Sequence, residues 1–175
     1  MQYTVNSEET DARAAVIVDI LTAKKWTISF AESCTAGLAA AHLVDIPSAS
    51  NVFNASFVTY SNEAKVRYLG VEEETIEQKG VVSEEVAIQM AVGAARANGA
   101  QVGVGITGIA GPTGGTDQKP VGMVCFGFII DGRTLSATKQ FGDIGRDAVR
   151  AASVEYVYSF LSTMIPRLAG MKFSL

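Results

Sequence analysis

Histidine is almost missing from this 175-residue chain, which carries His42 alone. That removes the usual imidazole base of serine and cysteine hydrolases, and it leaves no spaced Cys/His cluster to hold a metal. His42 itself reads as a helix-surface or interface residue. Cysteine is scarce as well: Cys34 and Cys125 are the only two, which fits reduced thiols rather than a disulfide scaffold. Charged residues make up 18% of the chain, the net charge is −4, and the 14 basic residues are scattered. Such a distribution gives no electrostatic footprint for nucleic acid. The longest apolar run, Val121 to Ile130, is too short to span a bilayer. The opening MQYTVNSEET has neither the basic start nor the apolar stretch of an export signal. A cytoplasmic protein with no membrane partner is expected.

What the chain does have is apolar content, 48% of its residues, enough to pack several layers in one domain spanning residues 1–175. Helical periodicity covers 8–25, then a strand at 27–32 and a helix at 35–44 follow. Residues 51–60 read as one strand or two short extended pieces. Ser61 is placed to cap a helix that Gly70 ends, and a second short helix over 72–79 is closed by Gly80. Ser83-Glu84-Glu85 opens a third, which runs to Asn98-Gly99. Strands are expected at 102–107, 121–130 and 134–141, the last two joined by an Asp131-Gly132 hairpin turn. A helix starting at 143–145 runs to about 168. Helices interleaved with strands plus one hairpin predict an α/β fold: a three-layer α/β/α sandwich around a mixed sheet, parallel with an antiparallel hairpin.

The chemistry-bearing segment is Ala31-Glu-Ser-Cys-Thr35, at the seam between a strand and a helix, where α/β enzymes keep their sites. Cys34 is the stronger nucleophile, but His42, roughly 12 Å along the same helix, is out of its reach. Cys34 therefore reads as a small packing residue. Ser33 would need a lysine base, an arrangement known from Ser-Lys variants of the triad. Lys65 is the candidate. In the first turn after a Ser61 cap, the helix dipole and desolvation would both lower its pKa, and Tyr60 could pass the proton or orient the pair. The competing reading places Lys65 on a solvated helix face.

Six glycines at 103, 105, 108, 111, 114 and 115 form either a ligand cradle or a tight turn, with no Walker pattern among them. Arg146 and Arg150, one turn apart at a helix start, either grip a phosphate or face solvent.

Four segments, AESCTAG (31–37), FVTYSNEAK (57–65), GVVSEEVA (80–87) and GITGIAGPTGG (105–115), together resemble the CinA C-terminal domain family. The resemblance covers nearly the whole chain. It implies hydrolysis of the carboxamide of nicotinamide mononucleotide to nicotinate mononucleotide and ammonia, without metal or other cofactor. Ser33 is then the nucleophile, with Tyr60 and Lys65 completing the catalytic set. Cys34 and Thr35 beside the nucleophile, and Thr107, Gly108, Ala110 and Gly111 in the loop, are the implied substrate contacts. Arg146 is added for the phosphate from the helix argument, with Arg150 as the alternative. Ala36 stands where many relatives have a second glycine, and Thr113 where a glycine is common. Two other functions fit the same residues: a Ser-Lys amidase for another small amide, or a nucleotide-binding module without turnover. A homodimer is a further expectation.

Overall fold

The computed structural model describes residues 7–170; most of the opening segment read above against an export signal lies outside them. The chain runs through α1 (Ser7–Lys24), β1 (Ile28–Glu32), α2 (Leu38–Val44) and β2 (Phe57–Val58). It continues with α3 (Asn62–Leu69), α4 (Glu73–Lys79), α5 (Glu84–Asn98), β3 (Val102–Gly108), β4 (Met123–Ile130), β5 (Arg133–Gln140) and α6 (Arg146–Leu168). The five strands form one sheet in the order β2-β1-β3-β4-β5. β1 pairs parallel with β2 and β3, while β4 pairs antiparallel with β3 and β5. The expected mixed α/β sandwich is therefore present.

Position in the sheet follows residue chemistry. All five residues of β1 are buried, polar Ser29 and Glu32 among them, as happens in a strand covered on both faces. Polar β5 takes the edge, and only its Leu135, Ser136 and Ala137 are half-buried. The β4–β5 turn has Asp131 at φ 48° and Gly132 at φ 79°, the pair of positive angles that a two-residue hairpin turn needs.

One face of the sheet carries the bulky core. Phe30, Ile106, Phe126 and Phe128 pack there with Ile17 and Leu21 of α1 and Val157 and Leu161 of α6. The other face is a floor of glycine. Gly103, Gly105 and Gly127 lie directly under α5, where an added Cβ would strike the Ala87 and Ala91 backbone. Two glycines of the expected ligand cradle, Gly103 and Gly105, thus serve helix packing instead.

Several boundaries differ from the expectation, each for a local reason. The helix at 35–44 begins only at Leu38, because Ala36 (φ 51°) and Gly37 (φ 93°) are left-handed and cannot continue an α-helix. Of 51–60, only Phe57–Val58 pairs as a strand, with a single bridge from Phe53 to Ile28. β4 starts at Met123, since Gly122 (φ 88°) turns to donate its N–H to the Ile109 carbonyl at 2.8 Å. His42 is buried, 8% exposed, because α2 sits beneath α6: its ring packs edge-on against Tyr158 at 4.9 Å, with Asp11 of α1 at 3.3 Å. Among the described residues, no helix is long and apolar enough to cross a membrane.

Candidate active site

Parallel strands β2, β1 and β3 end at the same edge of the sheet, and each delivers one part of the site there. β1 leads into Ser33, β2 into Thr59 and Tyr60, and β3 into Thr107 and Gly108. Two hydrogen bonds stitch these ends together just beyond the ladder. The Ser33 N–H donates to the Ile106 carbonyl, and the Thr59 N–H donates to the Glu32 carbonyl, both at 3.0 Å.

Lys65 enters this edge from α3. Ser61 caps that helix, its Oγ accepting from the Ala64 N–H at 3.1 Å, and Lys65 is the fourth helical residue. Its side chain is 1% exposed. The terminal amine lies 3.0 Å from Ser33 Oγ, 2.7 Å from the Thr59 carbonyl and 3.3 Å from the Tyr60 carbonyl. Its neighbours are neutral oxygens; no ion pair with a carboxylate joins it among the described residues. Burial therefore dominates and lowers its pKa from 10.5 to about 8, since an amine out of water is stabilised in its neutral form. The helix dipole invoked from sequence is not the leading cause. A solvated position for Lys65 is ruled out by the same burial.

Cys34 points into packing and is 4% exposed. Burial pushes its thiol up to about 12, so it stays protonated at neutral pH and is a poor nucleophile.

A cleft of about 340 Å³ opens in front of Ser33 and Lys65. Cys34, Tyr60, Thr107, Gly108, Ala110, Gly111, Thr113, Gly114 and Arg146 line it, together with Asn62, Val81 and Val82. Thr107 Oγ1 donates to the Val81 carbonyl at 2.9 Å, which ties the end of β3 to the segment before α5. Arg146 spans the mouth: Nη1 donates to the Gly111 carbonyl at 2.8 Å, and Nη2 to the Tyr60 hydroxyl at 2.9 Å. The Tyr60 ring is therefore directed at Arg146, and only its backbone carbonyl touches Lys65. Arg150 instead turns inward and donates to the Thr35 carbonyl at 3.1 Å. Thr35 is fully buried and does not line the cleft.

Sequence reasoning passed over Glu32. It is fully buried at the end of β1, and its carboxylate accepts N–H groups from Gly37 (3.0 Å), Ala39 (3.1 Å) and Ala40 (2.9 Å). The available signal was an acidic residue closing a buried strand just before a helix start, where the dipole favours an anion. Among the described residues no three His, Cys, Asp or Glu side chains gather as a metal site would require.

The profile of the CinA C-terminal domain matches residues 10–165. A nicotinamide-nucleotide amidohydrolase, PncC, from Enterobacter agglomerans is 54% identical over 132 residues, covering 74% of this chain and 79% of that protein. A CinA-like protein from Kosmotoga olearia is 45% identical over 146 residues, 83% of this chain but 35% of that protein. The chain thus spans about a third of the length of the CinA-like and putative competence-damage inducible relatives it matches. Among solved structures, the competence/damage inducible protein CihA from Agrobacterium tumefaciens superposes with a TM-score of 0.84 at 41% identity, covering 87% of this chain and 93% of that one. By the profile match over most of its length and these identities, this chain belongs to the CinA C-terminal domain family.

Proposed function

We propose that the protein is an amidohydrolase that converts nicotinamide mononucleotide to nicotinate mononucleotide and ammonia, with Ser33 as nucleophile and Lys65 as general base. The observation that carries this reading is the buried amine of Lys65, 3.0 Å from Ser33 Oγ and free of any carboxylate partner among the described residues. A neutral amine has two N–H groups and one lone pair. If the Thr59 and Tyr60 carbonyls take the two N–H groups, the lone pair is left facing the Ser33 hydroxyl. With a pKa of about 8, roughly a tenth of the molecules hold that neutral form at pH 7.

Ser33 Oγ then attacks the carboxamide carbon as its proton passes to Lys65, giving a tetrahedral oxyanion. Collapse expels ammonia, which takes the proton from Lys65, and an ester to Ser33 remains. Water, deprotonated by the same lysine, adds to the ester carbonyl. Collapse of that second intermediate breaks the Ser33 ester, returns the proton to Ser33 and releases nicotinate mononucleotide. Backbone N–H groups after Ser33 hold the oxyanion, the contribution that is usually largest in acyl transfer.

The substrate assignment rests on the PncC relative and on a cleft of about 340 Å³, within the range that small ligands occupy. Arg146, at the cleft mouth, is the proposed phosphate ligand. Gly108, Ala110 and Gly111 offer close backbone approach to the substrate. Replacing Ser33 with Ala should abolish ammonia release from nicotinamide mononucleotide and leave the circular dichroism spectrum unchanged. Full activity in Ser33→Ala would refute the mechanism. Activity on other amides but not on this nucleotide would refute the substrate and keep the Ser-Lys chemistry.

A further inference from the structure

We propose that Glu32 is a positioning residue for catalysis: its carboxylate gathers the first amides of α2 so that the Cys34 and Thr35 N–H groups alone remain to bind the oxyanion. This rests on the Ser33–Lys65 reading above and adds a residue that does not touch the substrate.

Most backbone donors from Ser33 to Ala40 already have an acceptor. Ser33 donates to the Ile106 carbonyl at 3.0 Å, Ala36 to the Ser33 carbonyl at 3.1 Å, and Leu38 to the Thr35 carbonyl at 3.2 Å. Gly37, Ala39 and Ala40 all donate to Glu32. Among the described residues, the amides of Cys34 and Thr35 are the two in this stretch left without an oxygen acceptor, the Cys34 N–H meeting only its own side-chain sulfur, a weak acceptor that an oxyanion displaces. They are the two that follow the nucleophile.

A helix start normally leaves its first amides open to any nearby anion. Here three such donors lie within a few residues of Ser33, and unsatisfied they would compete for the oxyanion and displace it along the helix. A buried carboxylate satisfies all three, using Oε2 for Gly37 and Ala39 and Oε1 for Ala40. It also holds in place the turn that carries Ala36 at φ 51°, an angle costing about 1 kcal/mol for an L-residue. Glu32 is itself fixed from behind, because its carbonyl accepts from Thr59 at 3.0 Å. One residue thereby links the strand to the turn that presents the amides.

The test is steady-state kinetics of Glu32→Gln with nicotinamide mononucleotide, normalised to folded enzyme and run well below each variant's melting temperature. Glutamine keeps the shape but turns one acceptor into an NH₂ donor, which opposes at least one of the three amides. Removing an oxyanion donor outright costs about 10²–10³ in kcat; displacing the pair should lower kcat about tenfold to a hundredfold. KM should stay within about twofold, and the rise of rate through pH 8 should persist because Lys65 is untouched. A structural role alone would reduce the folded fraction and leave kcat per folded molecule unchanged. Should Glu32→Gln not fold, Glu32→Asp carries the test: the charge is kept, but its oxygens fall about 1.5 Å short of the α2 amides, and the same loss of kcat is expected. Wild-type kcat in a folded variant, or a change confined to KM, overturns the proposal. Ser33→Ala run in parallel separates the two readings, since activity there defeats the Ser-Lys mechanism, whereas inactive Ser33→Ala with fully active Glu32 variants defeats this inference alone.

Discussion

Lys65→Met should make stability less dependent on alkaline pH while eliminating turnover, and the size of the effect follows from burial. The fall of the Lys65 pKa from 10.5 to about 8 corresponds to about 3 kcal/mol of folding free energy withheld while the amine is charged. Below pH 8 both folded and unfolded chains hold the proton, so that cost is present in full and does not vary. Between 8 and 10.5 the unfolded chain still binds the proton and the folded one releases it, so wild-type stability rises with pH. Methionine fills the same stem volume without a charge and has no such rise. At pH 7 the relief of about 3 kcal/mol is offset by acceptors left behind at Thr59 and Tyr60, each worth about 1–3 kcal/mol. The two proteins should therefore be close in stability at neutral pH. Urea denaturation of both at pH 7, 8, 9 and 10 isolates the residue, because titration of other groups cancels in the difference. Wild type should gain about 2–3 kcal/mol on the variant by pH 10. In wild type, kcat/KM should climb about tenfold per pH unit and level off near 8. A stability difference that stays flat from pH 7 to 10 would refute the claim that this lysine is held as a weakened base.

Two further outcomes are expected. Gly105→Ala places a methyl group against the backbone of Ala87 and Ala91 and should destabilise by about 1–3 kcal/mol, read from urea midpoints; a loss under about 0.5 kcal/mol would show that α5 can lift off the sheet without cost. Tyr60→Phe removes the hydroxyl that accepts from Arg146 and leaves the backbone carbonyl on Lys65. KM for nicotinamide mononucleotide should rise severalfold with kcat within about threefold, and a collapse of kcat instead would show that the phenol itself moves a proton.

Much of the architecture was readable because periodicity and caps agreed. Ser83 opens α5 and Gly99 closes it, and the Asp131-Gly132 pair set the hairpin register. The Ser33–Lys65 pairing was readable because the missing histidine left few bases to choose from. What escaped were features whose meaning depends on the opposite layer. Gly103 and Gly105 look like part of a ligand cradle until α5 is seen to supply Ala87, Ala91 and Ala95 at four-residue spacing against them. Glu32 looks like the polar end of a strand until the chain doubles back over it. His42 looks exposed on a short helix because nothing local announces that α6 covers it. For the glycines and His42 a contact distant in sequence overrode a sound local reading.

The floor of glycine beneath α5 also limits how this protein can diverge. Phe126, Phe128 and Ile106 on the bulky face can exchange size with partners on α1 and α6, so that face can drift by paired large-for-small swaps. Under α5 the sheet has no volume to trade, because a side chain at Gly103, Gly105 or Gly127 meets the helix backbone itself, which no partner substitution can shorten. The two sides of one sheet are thus under unequal freedom. The side that steadies Val81, Val82 and Thr107 beside the cleft is the one with almost none.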